Sequence, residues 1–470
     1  MSSETPATAT AGDTIFALSS GAGVAGVAVI RISGRGATQV FGSMIRGERP
    51  PARTAQLTVL YEPGDAEPLD QALVLWFPGP KSFTGEDLLE LHLHGGRAVV
   101  AGVLSALGGL PGFRVAAPGE FTRRAFDADK LDLTEVEGLA DLVNAETEAQ
   151  RRQAFRQMQG ALGMRCAELH ADLLGALALL EAEIDFAEDE IDVPASKVPA
   201  IHDRVGNLLE ELEALLADSS RGERLRDGLQ IAIIGAPNVG KSSLLNALAQ
   251  RDVAIVSETA GTTRDVIEVH LDLHGLPVTL ADTAGLRDLG DPEAVEAEGI
   301  RRARRRAEDA DLKLAVFDAS QWPMVEPDVA ALVDPETLIV VNKRDLVTAA
   351  LVDVLEGPSP ALPEPLAALA RRVHAISART GEGLTALLRA IGEAAEPRLG
   401  GGGLAMISRA RHREALTACR DALLRASQSE DLELLAEDLR LAMRALGRVT
   451  GRVDVEDLLD VIFREFCIGK

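Results

Sequence analysis

Hydrophobic and polar positions change rhythm along the chain, and the changes divide it into four stretches. Up to residue 128, short apolar runs such as "VAGVAVIRISG", "QALVLWFPGP" and "LLELHLHGG" alternate with Gly and Pro turns. That texture predicts an α/β module. From 129 to 226 apolar residues recur three and four apart, as in "HADLLGALALLEAEI" and "VGNLLEELEALLA", which predicts helices. Between 227 and 396 apolar strands alternate with helices, the pattern of a parallel sheet. "EPRLGGGG" then breaks the chain, and 397–470 is helical again. Neither helical stretch is long enough to bury a good core alone, whereas the two together make a bundle. The expected fold class is therefore multidomain, α/β and α, with one discontinuous helical domain into which an α/β domain is inserted.

Composition narrows the function classes. The chain carries 73 acidic against 48 basic side chains, a net charge of −25. A general nucleic-acid binder is basic, because phosphate neutralisation supplies most of its affinity. Any RNA handled here must meet a local basic surface or a partner. Cys166, Cys419 and Cys467 are widely spaced and odd in number, which fits neither a disulfide framework nor a metal knuckle and suits a reducing cytoplasm. "MSSETPATATAGDT" is not a secretory signal and reads as a disordered lead, and no apolar run has the length of a membrane span. The terminal "CIGK" fails as a prenylation box because Gly469 and Lys470 fill the wrong places. On its own it reads as a frayed tail with an incidental thiol.

Chemistry is most legible in the third stretch. "LQIAIIGAPNVGKSS" is an apolar strand running into GxxxxGK[ST] and a helix, the context of a P-loop. The N–H groups from Gly235 through Asn238, Val239, Gly240 and Lys241 to Ser243 would wrap phosphates, with Lys241 on the β- and γ-phosphates and Ser242 on Mg²⁺. "LIVVNKRD" ends a strand with Asn342, Lys343 and Asp345. A carboxylate there accepts from guanine N1–H and the exocyclic amine, whereas adenine would leave it unpaired. "HAISAR" adds Ser377, Ala378 and Arg379. "VTLADTAGLR" sets Asp282 at a strand end, followed by Thr283, Ala284 and the γ-phosphate sensor Gly285, and "GTTRD" offers Thr263 as a second protein ligand to Mg²⁺. Leu286 stands where Ras-type GTPases carry the water-positioning glutamine, so another group must orient the water. The Asn238 amide oxygen is a candidate ligand for a monovalent cation beside the phosphates.

With "GAPNVGKSSLLNAL", "GTTRD", "DTAGLR", "NKRD" and "SARTGEG" stand "SFTGEDLLELHLHGG", "PGEFTRRAFDADKLDLTEVEGLADL" and the terminal "FCIGK". Together these resemble the MnmE (TrmE) family of tRNA modification GTPases across essentially the whole chain. The resemblance implies an N-terminal α/β tetrahydrofolate-binding and dimerisation domain (1–128), a discontinuous helical domain (129–226 and 397–470) and an inserted Ras-like P-loop G domain (227–396). It implies a K⁺ site at Asn238, Ser257, Thr259 and Thr262, of which Ser257 and Thr262 also stand with the GTP-binding set. Glu296 would act on the attacking water, with Glu293 and Glu298 as rivals, and Arg264 joins it as a catalytic candidate. Folate contacts would fall on Arg31, Glu90 and Lys130, and Cys467 would serve the modification chemistry.

The family further implies a homodimer that forms a heterotetramer with the FAD- and NADH-using subunit MnmG. In it a 5-formyl- or 5,10-methylene-tetrahydrofolate carbon would be placed on C5 of wobble uridine in tRNA, in the cytoplasm. Two other readings stay open: a ribosome-assembly GTPase, and a stand-alone folate-dependent aminomethyltransferase with an attached switch. Among lesser features, His92 and His94 read as core or surface histidines, Arg301 to Arg306 as a solvated face, and Arg409 to Arg413 as a tRNA contact.

Overall fold

The computed structural model describes residues 13–186, 197–251, 253–255, 268–282, 304–356, 363, 366, 373–400, 405–453, 459, 462–464, 466 and 468–469. The chain forms two compact units. One comprises Met1–Ala140, Gln157–Gly175 and Arg440–Lys470, and the other Asp141–Arg156 and Ala176–Leu439. Among the described residues no helix is long and apolar enough to cross a membrane.

The first unit is built on β1 (Thr14–Leu18), β2 (Ala25–Ser33), β3 (Gln56–Tyr61), β4 (Pro68–Phe77), β5 (Leu88–Gly95) and β6 (Phe113–Val115), in the order β3-β4-β5-β2-β1-β6. Burial alternates along β4, so Ala72, Val74 and Trp76 face inward while Gln71 and Leu73 face out. This is the one-sided antiparallel pattern. Phe16, Ile30, Ile32, Leu89 and Leu91 join the inward row against the helix Arg97–Gly108, which contributes Val103 and Leu107.

The helix Glu120–Asp127 is tied down by charge. Glu120 accepts from Arg114 at 2.6 and 2.8 Å and from the Ala117 amide at 2.9 Å, and Arg124 bridges Glu120 to Glu86. Burial pushes the Glu120 carboxyl up, but the hydrogen bonds from Arg114 and Ala117 and the charges of both arginines bring it below its ordinary value.

The end of the chain docks on this unit's beginning, which corrects the expectation of a frayed tail. Ile468 bridges to Pro118, and the Ser19 hydroxyl donates to the Gly469 carbonyl at 2.8 Å. Gly469 has a φ of +99°, and a Cβ there would lie 2.1 Å from the Leu18 carbonyl oxygen, so only glycine fits. Leu459, Ile462, Phe463 and Phe466 form a second core with Leu133, Val136 and Ala140. Cys467 itself lies outside the described residues.

The second unit holds β7 (Leu229–Ile234), β8 (Ala254–Ile255), β9 (Glu268–Leu273), β10 (Leu276–Asp282), β11 (Leu312–Asp318), β12 (Leu338–Asn342) and β13 (Val373–Ala375). They run β13-β12-β11-β7-β10-β9-β8, parallel from β13 to β10 and antiparallel beyond. β7, β11 and β12 are near-continuous apolar runs because helices cover both faces of a parallel sheet. The chain enters and leaves this α/β domain at adjoining points. A Cβ on Gly222, before the domain, would lie 1.9 Å from the carbonyl oxygen of Ile407, after it, and Gln153 donates to the carbonyls of Gly222 and Ala405. Arg409 pairs with Asp141 at 2.7 Å, Arg413 pairs with Glu223 at 2.8 Å, and His412 is buried. Arg409 and Arg413, expected as part of a tRNA contact, thus pair within the fold, and Arg413 keeps part of its side chain exposed.

The Glu120 network carries a pH signature. A carboxyl lowered by folding adds stability above its ordinary range, near pH 4.3, and that stability is lost as pH falls through the lowered value. Glu120→Gln is therefore expected to cost roughly 3 kcal/mol in urea denaturation at pH 7. The gap should narrow below about pH 4, whereas a gap independent of pH would contradict the assignment.

Candidate active site

β7 feeds the loop Gly235–Gly240, and the helix Lys241–Ala249 starts immediately after it. Gly240 has a φ of +98°, and a Cβ on it would lie 2.3 Å from the Asn342 side-chain nitrogen, so the loop closes this tightly only with glycine. Asn238 also lies in the left-handed region, at φ +62°, which asparagine tolerates better than most residues. The Lys241 ammonium donates to the carbonyls of Gly235 and Ala236 at 2.8 and 2.9 Å, which holds it against the loop. Ser242 and Ser243 are exposed in the first turn of the helix, the end at which the helix dipole favours an anion.

The base-recognition residues converge on the same loop. Asn342 is 2% exposed; its side-chain nitrogen donates to the Val239 carbonyl at 2.9 Å, and its oxygen accepts from the Ala378 amide at 3.0 Å. Lys343 donates from Nζ to the Asn238 carbonyl at 2.9 Å and to Asp318 at 2.7 Å. The Asp345 carboxylate accepts from the Ser377 hydroxyl at 2.6 Å and from Arg379. The bond from Ser377, with that from Arg379 and the arginine's charge, holds this carboxyl below the usual aspartate range. Each oxygen keeps a lone pair for a further donor. The sequence marks Ser377 as part of the base site, and the structure adds that its hydroxyl aims Asp345.

β10 pairs Asp282 with Ile233, one residue before the end of β7, so the strand carries Asp282 to the P-loop end of the sheet. Ser257, Thr259, Thr262, Thr263, Arg264, Thr283, Ala284, Gly285, Glu293, Glu296 and Glu298 lie outside the described residues.

In the first unit Arg31 on β2 and Glu90 on β5 are direct cross-strand partners. Arg31 gives Glu90 Oε1 two hydrogen bonds, at 3.0 and 3.2 Å, and its guanidinium lies 5.5 Å from the Phe83 ring centre and 5.9 Å from that of Phe121. His92 meets the other Glu90 oxygen at 3.3 Å, a contact that the reading of His92 as a core or surface histidine missed. Lys130 is exposed, and its Cε lies 3.6 Å from where a Cβ on Gly85 would sit, two residues after Phe83. Phe83 and Phe121 carried no sequence signal beyond their place in "SFTGED" and "PGEFTRR". Phe121 is fully buried and backs Arg31 from the core, while Phe83 is partly exposed. A carboxylate, cations and one accessible aromatic ring suit a flat heterocycle with an anionic tail.

Comparison with known proteins places this geometry. A model of the MnmE helical domain matches residues 133–467, and one of the GTP-binding protein TrmE N-terminus matches residues 14–130. The tRNA modification GTPase MnmE of Parvibaculum lavamentivorans is 52% identical over 472 residues, covering 97% of this chain and all of the relative. That of Rhodospirillum rubrum is 51% identical, covering 97% of this chain and 99% of the relative. The chain belongs to the MnmE family of tRNA modification GTPases. Its α/β insertion is the G domain of a GTPase acting in tRNA modification. Among solved structures, a single-residue variant of Aquifex aeolicus Era bound to GDP·AlF4⁻ is 26% identical, over 43% of this chain and 69% of that one, at a TM-score of 0.27. The G domain of the T. maritima FeoB iron transporter is 23% identical, over 36% and 98%, at 0.23, and the assignment takes nothing from likenesses this low.

In this MnmE-family G domain, Asp345→Asn should weaken GTP binding by roughly a hundredfold or more while improving binding of xanthosine triphosphate. The amide can donate to the C2 carbonyl that xanthine has in place of the amine. Competition of both nucleotides against a fluorescent GDP analogue measures this, and unchanged GTP affinity would contradict the assignment of Asp345 to the base.

Proposed function

We propose that this chain is a K⁺-activated, Mg²⁺-dependent GTPase that works in the cytoplasm as a homodimer. With an FAD- and NADH-using partner subunit, MnmG in the family, it installs an aminomethyl-type group at C5 of the wobble uridine of tRNA. The observation that carries this reading is end-to-end similarity, about half of all positions, to curated tRNA modification GTPases, over both the TrmE-type N-terminal domain and the helical domain.

The assignments by residue follow the motifs. Val239, Gly240, Lys241, Ser242 and Ser243 cradle the phosphates, with Asp282, Thr283, Ala284 and Gly285 on the γ-phosphate side. Asn342, Lys343, Asp345, Ser377, Ala378 and Arg379 take the guanine. Ser242 and Thr263 would hold Mg²⁺, and Asn238, Ser257, Thr259 and Thr262 would hold K⁺, the ion supplying the positive charge that an arginine finger supplies elsewhere. Glu296 would act on the attacking water, and Arg264 is a further catalytic candidate. The proposed domain limits are 1–128 (folate-binding and dimerisation), 129–226 with 397–470 (helical) and 227–396 (G domain).

Arg31, Glu90 and Lys130 would hold a tetrahydrofolate derivative, which when bound supplies the one-carbon unit. Glu90 suits the pterin edge and the cations suit the glutamate tail. Arg31 and His92 keep the Glu90 carboxylate oriented before any ligand arrives. Cys467 would serve the modification step as a nucleophile. Nucleotide turnover supplies conformational change rather than bond energy.

Mass spectrometry of tRNA nucleosides from cells lacking this chain tests the proposal. The deletion should remove the C5-substituted wobble uridine, and wild-type protein but neither Asp345→Asn nor Cys467→Ser should restore it. Unchanged nucleosides in the deletion would overturn the modification reading. Replacing KCl with NaCl in the purified GTPase assay should lower kcat, and equal rates would overturn the K⁺ assignment.

A further inference from the structure

We propose that Asp318 is a positioning residue of the GTPase. Its carboxylate fixes the Lys343 ammonium and, through it, the Asn238 segment of the P-loop, so that the phosphate loop and the base-recognition loop act as one body. The proposal rests on the assignment of "NKRD" to guanine recognition and adds a residue outside the recognised motifs.

Sheet order places Asp318 where it can do this. β11, which ends at Asp318, lies between β7, which carries the P-loop, and β12, which carries "NKRD". Asp318 is the register partner of Asn342, and the Ala319 amide donates to the Asn342 carbonyl at 2.8 Å. The Asp318 side chain is nearly buried. One oxygen accepts from the Ser320 amide at 2.9 Å and the Ser320 hydroxyl at 2.7 Å. The other accepts from Lys343 Nζ at 2.7 Å, and the same ammonium donates to the Asn238 carbonyl at 2.9 Å.

Lys343 has a φ of +67°, a left-handed conformation that a lysine keeps only where its surroundings hold it. Burial pushes the Asp318 carboxyl up, yet the bonds from Lys343 and Ser320 bring it below its ordinary value, so it is ionised at neutral pH. A buried charge with a single cationic partner constrains that partner strongly, because neither group can leave without stranding the other. The Asn238 carbonyl adjoins the amides that wrap the phosphates. Loosening Lys343 therefore loosens both ends of the nucleotide site at once.

The test follows release of a fluorescent GDP analogue from the full-length protein by stopped flow. Wild type is compared with Asp318→Asn, Lys343→Met and the double variant, each with its melting temperature. The asparagine keeps an acceptor for Ser320 and removes the charge that holds Lys343. Each single variant is expected to release nucleotide roughly tenfold faster, the size of a lost hydrogen bond to a charged group. Lys343→Met, which also loses the Asn238 contact, should be at least as fast as Asp318→Asn, and the double variant should match Lys343→Met, since removing Asp318 as well breaks no further contact. Release from Asp318→Asn at the wild-type rate, with Lys343→Met fast, overturns the proposal and leaves the base-loop assignment standing. Wild-type rates in both overturn the two together. Rates that multiply in the double variant, with a melting temperature that falls in step, also overturn the proposal by making Asp318 a structural residue. Should Asp318→Asn not fold, Ser320→Ala keeps the charge but frees the carboxylate to turn. It is expected to speed release by a smaller factor, and an unchanged rate overturns the proposal.

Discussion

One buried amide touches all three loops at the nucleotide-binding end of this protein. Asn342 ends the strand β12 with both halves of its side chain satisfied, its nitrogen on the Val239 carbonyl and its oxygen on the Ala378 amide. A buried amide left without partners costs about 1–3 kcal/mol. The P-loop, "NKRD" and "SAR" loops are therefore biased by that amount toward the arrangement that pairs both ends of the amide. The glycine at 240 belongs to the same constraint, since any side chain there would take the space of the Asn342 nitrogen. All three loops leave the carboxyl ends of parallel strands, the edge at which open α/β sheets bind ligands.

The two compact units solve separate problems with similar means. In the first, a sheet that is antiparallel except where β1 meets β6 packs one face on the core, and Glu120, Arg114 and Arg124 clamp a short helix against the loop that presents Phe83. The chain's last residues then close over Pro118 and Ser19. In the second, the meeting of Gly222 with Ile407 brings together the two connections that bound the G domain. Asp141 takes both Arg226, before the insertion, and Arg409, after it. An insertion whose ends meet leaves its host helices free to pack as though continuous, as Val198–Ala217 and Ala410–Gln428 do.

How much was legible in the sequence depended on whether a constraint was local. The strands β7, β11 and β12 could be read because burial on both faces demands unbroken apolar runs. The P-loop could be read because backbone closure and phosphate contact dictate glycines and one lysine at fixed spacing. The pairing of Arg31 with Glu90 could not, since it depends on the register of strands 59 residues apart. Asp318 was passed over because one acid at a strand end has no spacing that marks it. The arginines at 409 and 413 looked available for RNA because their acidic partners lie 268 and 190 residues away. What the terminus docks on could not be read for the same reason, as the contacts of Ile468 and Gly469 are with the loop before Gly119 and the end of the first strand.

The most direct test of this account is to compare hydrogen exchange and nucleotide affinity in one variant, Asn342→Ala. If the amide braces the loops, the Ala378 amide and the P-loop amides should lose protection together, and affinity for GDP should fall with them. Lost affinity with exchange unchanged at Ala378 and in the P-loop would contradict the account, because Asn342 would then act on the nucleotide alone and the loops would be held by something else.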